Sequence, residues 1–325
     1  MSTSAPTSAP AHASTPARKS SVDWRDYIIY IGLVLVYGIC VLFLHDSGFA
    51  TVENLLNIFR QTAMIALMAV AVTFVIAAAE IDLSVGAVAG LASVTAAMGV
   101  AAGGPIVGAL AGIGTGVLVG LINGSLVAFA RIPSFLVTLG MMGIASGVAM
   151  WITGSAPQPI LSSGFNAFFG GGSIGPIPSL LIWVVIATVI GATVMHRTAY
   201  GRRVLATGGN EQAAVYSGVR TRRIIFSVLM ASAVAASIAG MLYAGRLESG
   251  RYQWGTGDEL SVIAAVILGG TSLFGGRGAV VGSVIGALLI GVINNGLVLA
   301  GLDTSQQNIV RGVIIILAVA LGRRK

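Results

Sequence analysis

Pro105 to Gly124 reads PIVGALAGIGTGVLVGLING, with glycine at 108, 112, 116, 120 and 124 and no charged side chain. A fourfold spacing returns to nearly the same helix face each time, so the five glycines form one stripe. Among lipid tails, which are as apolar as leucine, helices associate through close backbone approach over such small residues. The segment is therefore expected to be a membrane-spanning helix, central and tightly packed. Gly278, Gly282 and Gly286 repeat the pattern and predict a second close-packed helix.

Composition agrees with this reading. The chain of 325 residues is 56% hydrophobic with mean hydropathy +0.93, and only 9% of its residues are charged, against roughly 25% in a soluble domain. Too few polar side chains exist to cover a large core with a hydrated shell, so lipid is the solvent. About 20 mainly apolar residues are needed per span, and ten stretches qualify: 27–44, 56–79, 84–101, 106–128, 134–153, 179–196, 224–245, 259–273, 279–299 and 306–322. The third and eighth are short enough to be re-entrant. The fold class is all-α: a polytopic membrane protein of about ten transmembrane helices, preceded by a Ser/Thr/Ala/Pro-rich tail over 1–22 too polar to pack. The membrane-spanning domain runs over 23–325.

Charge fixes the orientation. With both termini cytoplasmic, 14 of the 18 basic residues fall on the inner side, while Asp46, Glu53, Glu248, Asp258, Glu259 and Asp303 fall outside. This is the bias that orients membrane proteins, and it accounts for the net charge of +7 without nucleic acid. Cys40 is the sole cysteine, and His12, His45 and His196 stand far apart, so no metal site and no cofactor is expected. On the outer face, Arg246, Glu248, Arg251, Asp258 and Glu259 are candidates for pairing with a partner.

The chain carries no engine of its own. A phosphate-binding loop needs a lysine in a glycine setting, and the only lysines are Lys19 and Lys325. No dense series of ionisable residues threads the spans, as an ion-coupled carrier would need. Energy must enter from outside, and the basic loop 197–223, RTAYGRRVLATGGNEQAAVYSGVRTRR, is the candidate entry point. Gly208-Gly209 is read as a break, Asn210 as the cap of a two-turn helix, Glu211 as suited to its positive end, and Gly218 as its left-handed stop. Ala213, Ala214 and Val215 offer small groups for docking. Asp82 reads as the cap of the helix that follows it. Asn123, Thr138, Asn294 and Asn295 are the polar groups within spans that could line a path for a polar solute, with interhelical hydrogen bonding as the other reading.

The loop resembles the coupling loop of ribose-type sugar ABC importer permeases, a branch that includes xylose, arabinose and galactose permeases. Ile81-Asp82-Leu83-Ser84-Val85-Gly86 is similar to that family's inner-face signature, 255–260 and 269–278 to its GTG-x-EL and GGTSL-x-GG elements, and Asn294-Asn295-Gly296-Leu297 to its NNGL element. Relatives often carry glycine where this chain has Glu80. The resemblance implies a non-enzymatic transport subunit of a bacterial inner membrane. It pairs with a second copy or paralogue, binds cytoplasmic ABC ATPase subunits through Gly209, Asn210, Glu211, Ala213, Ala214 and Gly218, and receives a monosaccharide or polyol from an external sugar-binding protein. A branched-chain amino-acid permease, an ion-coupled carrier and a membrane scaffold are the alternatives.

Overall fold

The computed structural model describes residues 28–322, so the tail over 1–22 lies outside the described residues. In chain order the helices are α1 (Ile28–Phe43), α2 (Val52–Ala77), α3 (Val85–Ala128), α4 (Ser134–Thr153), α5 (Ser163–Asn166), α6 (Ser179–Arg197), α7 (Ala199–Gly209), α8 (Glu211–Tyr216), α9 (Thr221–Arg246), α10 (Asp258–Leu268), α11 (Val280–Leu299) and α12 (Thr304–Gly322). Two-residue strands pair antiparallel at 158–159 with 249–250 and at 173–174 with 177–178. Among the described residues six helices, α2, α3, α4, α6, α9 and α11, are long and apolar enough to cross a membrane.

The helix at the centre is α2, not the glycine-striped one. Residues 62–78 form an unbroken run of buried positions. Helices α6, α9, α10 and α11 enclose it, together with α7 at its end. Thr51 starts α2 by accepting a hydrogen bond from the Asn54 amide at 3.2 Å.

At 44 residues, α3 would be about 66 Å long if straight, twice the hydrocarbon thickness of about 30 Å. It is not straight. Gly104 takes φ +84°, a conformation open to glycine, directly before Pro105, and the chain doubles back there. The two halves pack so closely that a Cβ on Gly108 would stand 2.8 Å from the Ala96 carbonyl oxygen. The separate spans expected at 84–101 and 106–128 are these two halves.

The second half lies antiparallel on α9. Added methyls at Gly112, Gly116, Gly120 and Gly124 would run into Met241, Ser237 with Ala233, Met230 and Phe226 in turn, four successive steps down α9. The opposite face, with Leu110, Leu118 and Leu121, is exposed, as a lipid-facing surface should be. The weaker stripe behaves alike: a methyl on Gly282 would strike the Gly269 carbonyl, and one on Gly286 the Ala265 carbonyl, holding α11 on α10.

The expected span at 259–273 is a half-helix. With 11 residues α10 is about 16 Å long and cannot cross alone. The chain reaches its start by descending from Gly250 to Gly255 along the first half of α3. Ser93 Oγ donates to the Arg251 carbonyl at 3.0 Å and accepts from its amide at 3.1 Å, and Gly86 and Gly255 touch backbone to backbone.

Gly116→Leu should destabilise the protein by about 1–3 kcal/mol or prevent folding through overpacking, because its Cβ would lie 2.7 Å from the Ala233 carbonyl oxygen. Gly114→Leu, where nothing stands within 4 Å, should melt like the parent. Melting temperatures in detergent check both.

Candidate functional site

Between Ala79 and Val85 the chain runs without helix, half-buried at Glu80, Ile81 and Leu83 and buried at Asp82 and Ser84. The Glu80 amide still reaches Val75 O at 3.0 Å, but the amides of Ile81 and Leu83 find no helical partner, and an unpaired buried one costs about 1–3 kcal/mol. Side chains of α4 supply partners: Ser134 Oγ accepts from the Ile81 amide at 3.0 Å, and Thr138 Oγ1 from the Leu83 amide at 3.1 Å. Asp82 is fully buried. Its Oδ1 accepts from the Ser84 amide at 2.9 Å and from Ser84 Oγ at 2.6 Å, and its Oδ2 accepts from Ser232 Oγ of α9 at 2.7 Å. Asn123 Nδ2, on the glycine-striped half of α3, donates to Ser84 Oγ at 3.1 Å. Asn123 Oδ1 has no partner among the described residues.

Four of the candidates, Asp82, Ser84, Asn123 and Thr138, thus form one buried polar cluster. One expectation about Asp82 changes: it closes a local turn onto Ser84 instead of capping α3. Its partner Ser232 is the twelfth of the 26 residues of α9, while Ser134 and Thr138 stand in the first two turns of α4. Ser134 and Ser232 belong to it and were missed, since nothing in their sequence setting distinguishes them from other serines in apolar helices.

Asn294 and Asn295 are elsewhere. Asn295 and Asn54 exchange side-chain hydrogen bonds at 2.9 Å each way, tying α11 to the start of α2. That is about 35 Å along α2 from its other end. For Asn295 the interhelical reading holds; Asn294 is half-buried beside it.

The loop 197–223 folds against the far end of α2. Helix α7 does not break at Gly208-Gly209 but runs through them, because Gly208 is pressed on the Ala77 carbonyl, where any Cβ would collide. Gly275 is in turn pressed on the Gly208 carbonyl, and the Gly276 amide donates to Ala77 O at 2.9 Å. The break comes at Asn210, whose Oδ1 accepts from the Ala213 amide at 3.0 Å and starts α8. Gly218, at φ +81°, ends it, with the Val219 amide donating to Ala214 O at 2.9 Å. The short capped helix is therefore present, six residues long.

Its faces differ from expectation. Ala214 is 4% exposed and points into the protein, whereas Ala213 and Val215 are exposed and Tyr216 is 90% exposed. Glu211 turns back along the chain, accepting from Thr221 Oγ1 at 2.9 Å. Beneath α8 lies a cavity of about 650 Å³, lined by Glu80, Arg131, Ser134, Glu211, Tyr216 and Arg222 among others. Burial pushes the Glu80 carboxyl above its usual range, its hydrogen bond with Ser134 works against this, and the nearby Glu211 charge adds to it. Glu80, without an assigned part in the sequence reading, sits between α8 and the Asp82 segment.

Of the charges placed on the outer face, Glu248 and Arg251 are exposed, and Arg251 stands over the Trp254 ring at 5.4 Å. Asp258 accepts from Tyr243 Oη at 2.6 Å, and Glu259 faces Gly86 at the foot of α3. Those two carboxylates are half-buried, packed beside Tyr243 and Gly86.

Similarity to known proteins converges on transport. The family described as "Branched-chain amino acid transport system / permease component" matches residues 54–319. The ribose import permease protein RbsC of Bacillus subtilis (strain 168) is 38% identical over 91% of this chain and 92% of its own length. The ribose import permease protein of Escherichia coli (strain K12) is 39% identical over 90% and 92%, and the D-allose transport system permease protein AlsC of the same strain 37% over 92% and 92%. No solved structure matches.

Ser232→Ala removes the sole donor to Asp82 Oδ2 among the described contacts and should cost about 1–3 kcal/mol. Thermal unfolding in detergent checks it; an unchanged melting temperature would show that the Asp82 bond does not hold the segment.

Proposed function

Because the chain belongs to the branched-chain amino acid transport system / permease component family, we propose that it is the membrane-spanning subunit of a binding-protein-dependent ABC importer. It carries a monosaccharide into the cytoplasm while ATP is hydrolysed by a separate subunit. The supporting observation is the meeting of three signature segments, 80–86, 208–218 and 269–278, around the end of α2 at Ala77. A helix that docks an ATPase there touches, through Gly208, the support of the buried Asp82 segment.

The cargo reading rests on the named relatives, which transport ribose and allose by their descriptions, and on an L-arabinose ABC transporter permease protein of Azospirillum brasilense, 34% identical over 95% of this chain and 92% of the relative. The family description itself supports the second reading, a branched-chain amino acid. In the proposed topology the basic end, with α7 and α8, is cytoplasmic. The chain then crosses ten times: once each for α1, α2, the two halves of α3, α4, α6, α9, the loop with α10, α11 and α12. Both termini lie inside the bacterial inner membrane's cytoplasmic face. The tail over 1–22 is dispensable, residues 23–325 form the permease, and 197–223 is the coupling loop.

The partners are two ATPase subunits, an external sugar-binding protein, and a second copy or paralogue. Within the docking site the residues divide by task. Ala213, with Val215 and Tyr216, presents the contact surface. Asn210, Gly218 and Gly209 shape it, and Ala214 and Glu211 bind it to this chain. Asn123, Thr138, Asp82 and Ser84 form the polar centre beside the path.

Ala213→Arg places a bulky cation on the exposed face of α8 without removing any internal bond. Assembled with its partners in vesicles, the variant should keep the parent melting temperature while ATP-driven sugar uptake falls at least about tenfold, the loss of roughly 1.4 kcal/mol of docking energy. Unimpaired uptake would remove α8 as the docking helix.

A further inference from the structure

The outward-facing surface between α6 and α9, floored by α2, carries a groove of about 310 Å³ lined almost wholly by apolar atoms. It exists because Ala187, Ala231 and Ala235 stand where larger side chains would fill it. Ile190 on its lip is 59% exposed. From Trp183 to Val194 the groove follows α6 for 11 residue steps, about 16 Å at the helical rise, which is half of a hydrocarbon core about 30 Å thick. One leaflet's acyl chain has this reach. Water would lose its hydrogen bonds there, and a lipid tail would regain the dispersion contacts that an unfilled groove forfeits.

The α7 end of the groove is polar. Tyr200 closes it, its ring 6.4 Å from that of Phe74 and its hydroxyl hydrogen-bonded to Ser227 Oγ at 2.7 Å. Arg203 follows Tyr200 by three residues on α7, and Arg223 precedes Ser227 by four on α9. These spacings keep each arginine on the face of its partner. Both are exposed. Two guanidinium groups just beyond an apolar groove match a phosphate that joins an acyl chain to a headgroup.

We propose that this groove is a binding site for an anionic phospholipid, its acyl chain lying along Ala187 and Ala235 and its phosphate held by Arg203 and Arg223. The site is independent of the transport reading. It ties a lipid of the basic-side leaflet to α7, the helix that carries α8.

Trp183 provides a reporter. In full-length protein with Trp24, Trp151 and Trp254 replaced by Phe, fluorescence in detergent micelles is titrated with phosphatidylglycerol brominated on its acyl chain, and separately with the brominated phosphatidylcholine. The anionic lipid should quench saturably at a mole fraction on the order of tenfold lower than the zwitterionic one, the advantage expected of two interfacial arginines. Arg203→Ala with Arg223→Ala should erase that preference. Ala235→Phe should abolish quenching by filling the groove, and Ala187→Leu serves if that variant does not fold. Equal quenching by both lipids in the parent, or quenching untouched by groove filling, would overturn the proposal. So would a disulfide between two copies carrying Ile190→Cys in a Cys40→Ser background, since a second chain would then cover the groove.

Discussion

The stretch of backbone from Ile81 to Ser84 runs between two helices and has to find partners for its amides on neighbouring elements. Everything around it answers that requirement. Ser134 and Thr138 of α4 take its amides, and Asp82 turns the chain onto Ser84. Ser232 of α9 and Asn123 of α3 complete the set. Because these donors and acceptors come from separate helices, the segment fixes α3, α4 and α9 relative to one another. It also interrupts the rod-like path from α2 into α3, which gives a buried polar centre in a chain otherwise built from alanine, glycine and branched aliphatics.

A second interruption lies opposite. The descent from Gly250 to Gly255 brings the start of α10 against the start of α3 at Gly86. Two helix beginnings therefore face each other within the helix assembly, where the positive ends of helices meet polar groups. A side chain on either glycine would collide with the backbone of the other. At the other end of α2 the packing is equally tight: Ala77, Gly208 and Gly275 are stacked carbonyl on glycine. Close-packed contacts of this kind transmit displacement, since they cannot compress. Motion imposed on α8 would pass through α7 into the end of α2 and so to the segment that begins at Glu80.

Much of this was legible in the residues themselves. Periodic glycines announced close helix contacts, and the contacts are there at Gly112, Gly116, Gly120 and Gly124. Asn210 and Gly218 announced the ends of α8, because caps depend on local chemistry. Tertiary placement was not legible. The stripe on α3 says that one face is packed but not that the helix is central, and α2 took that place through apolar residues on all sides. Gly208 was read as a break when its task is close approach to Ala77; a glycine's two uses leave the same letter. Ala214 was assigned outward because a six-residue helix carries too little periodicity to show its buried side. Charge alone does not show that Asp258 and Glu259 are half-buried where the descending loop meets the start of α3.

The central claim is that displacement from a separate ATPase drives this chain. The direct measurement is accumulation of radiolabelled ribose in vesicles holding the chain with its ATPase and binding protein. Accumulation should require ATP on the side of α8 and should be indifferent to proton or sodium gradients. Accumulation driven by an ion gradient in vesicles that hold this chain without any ATPase would contradict the account.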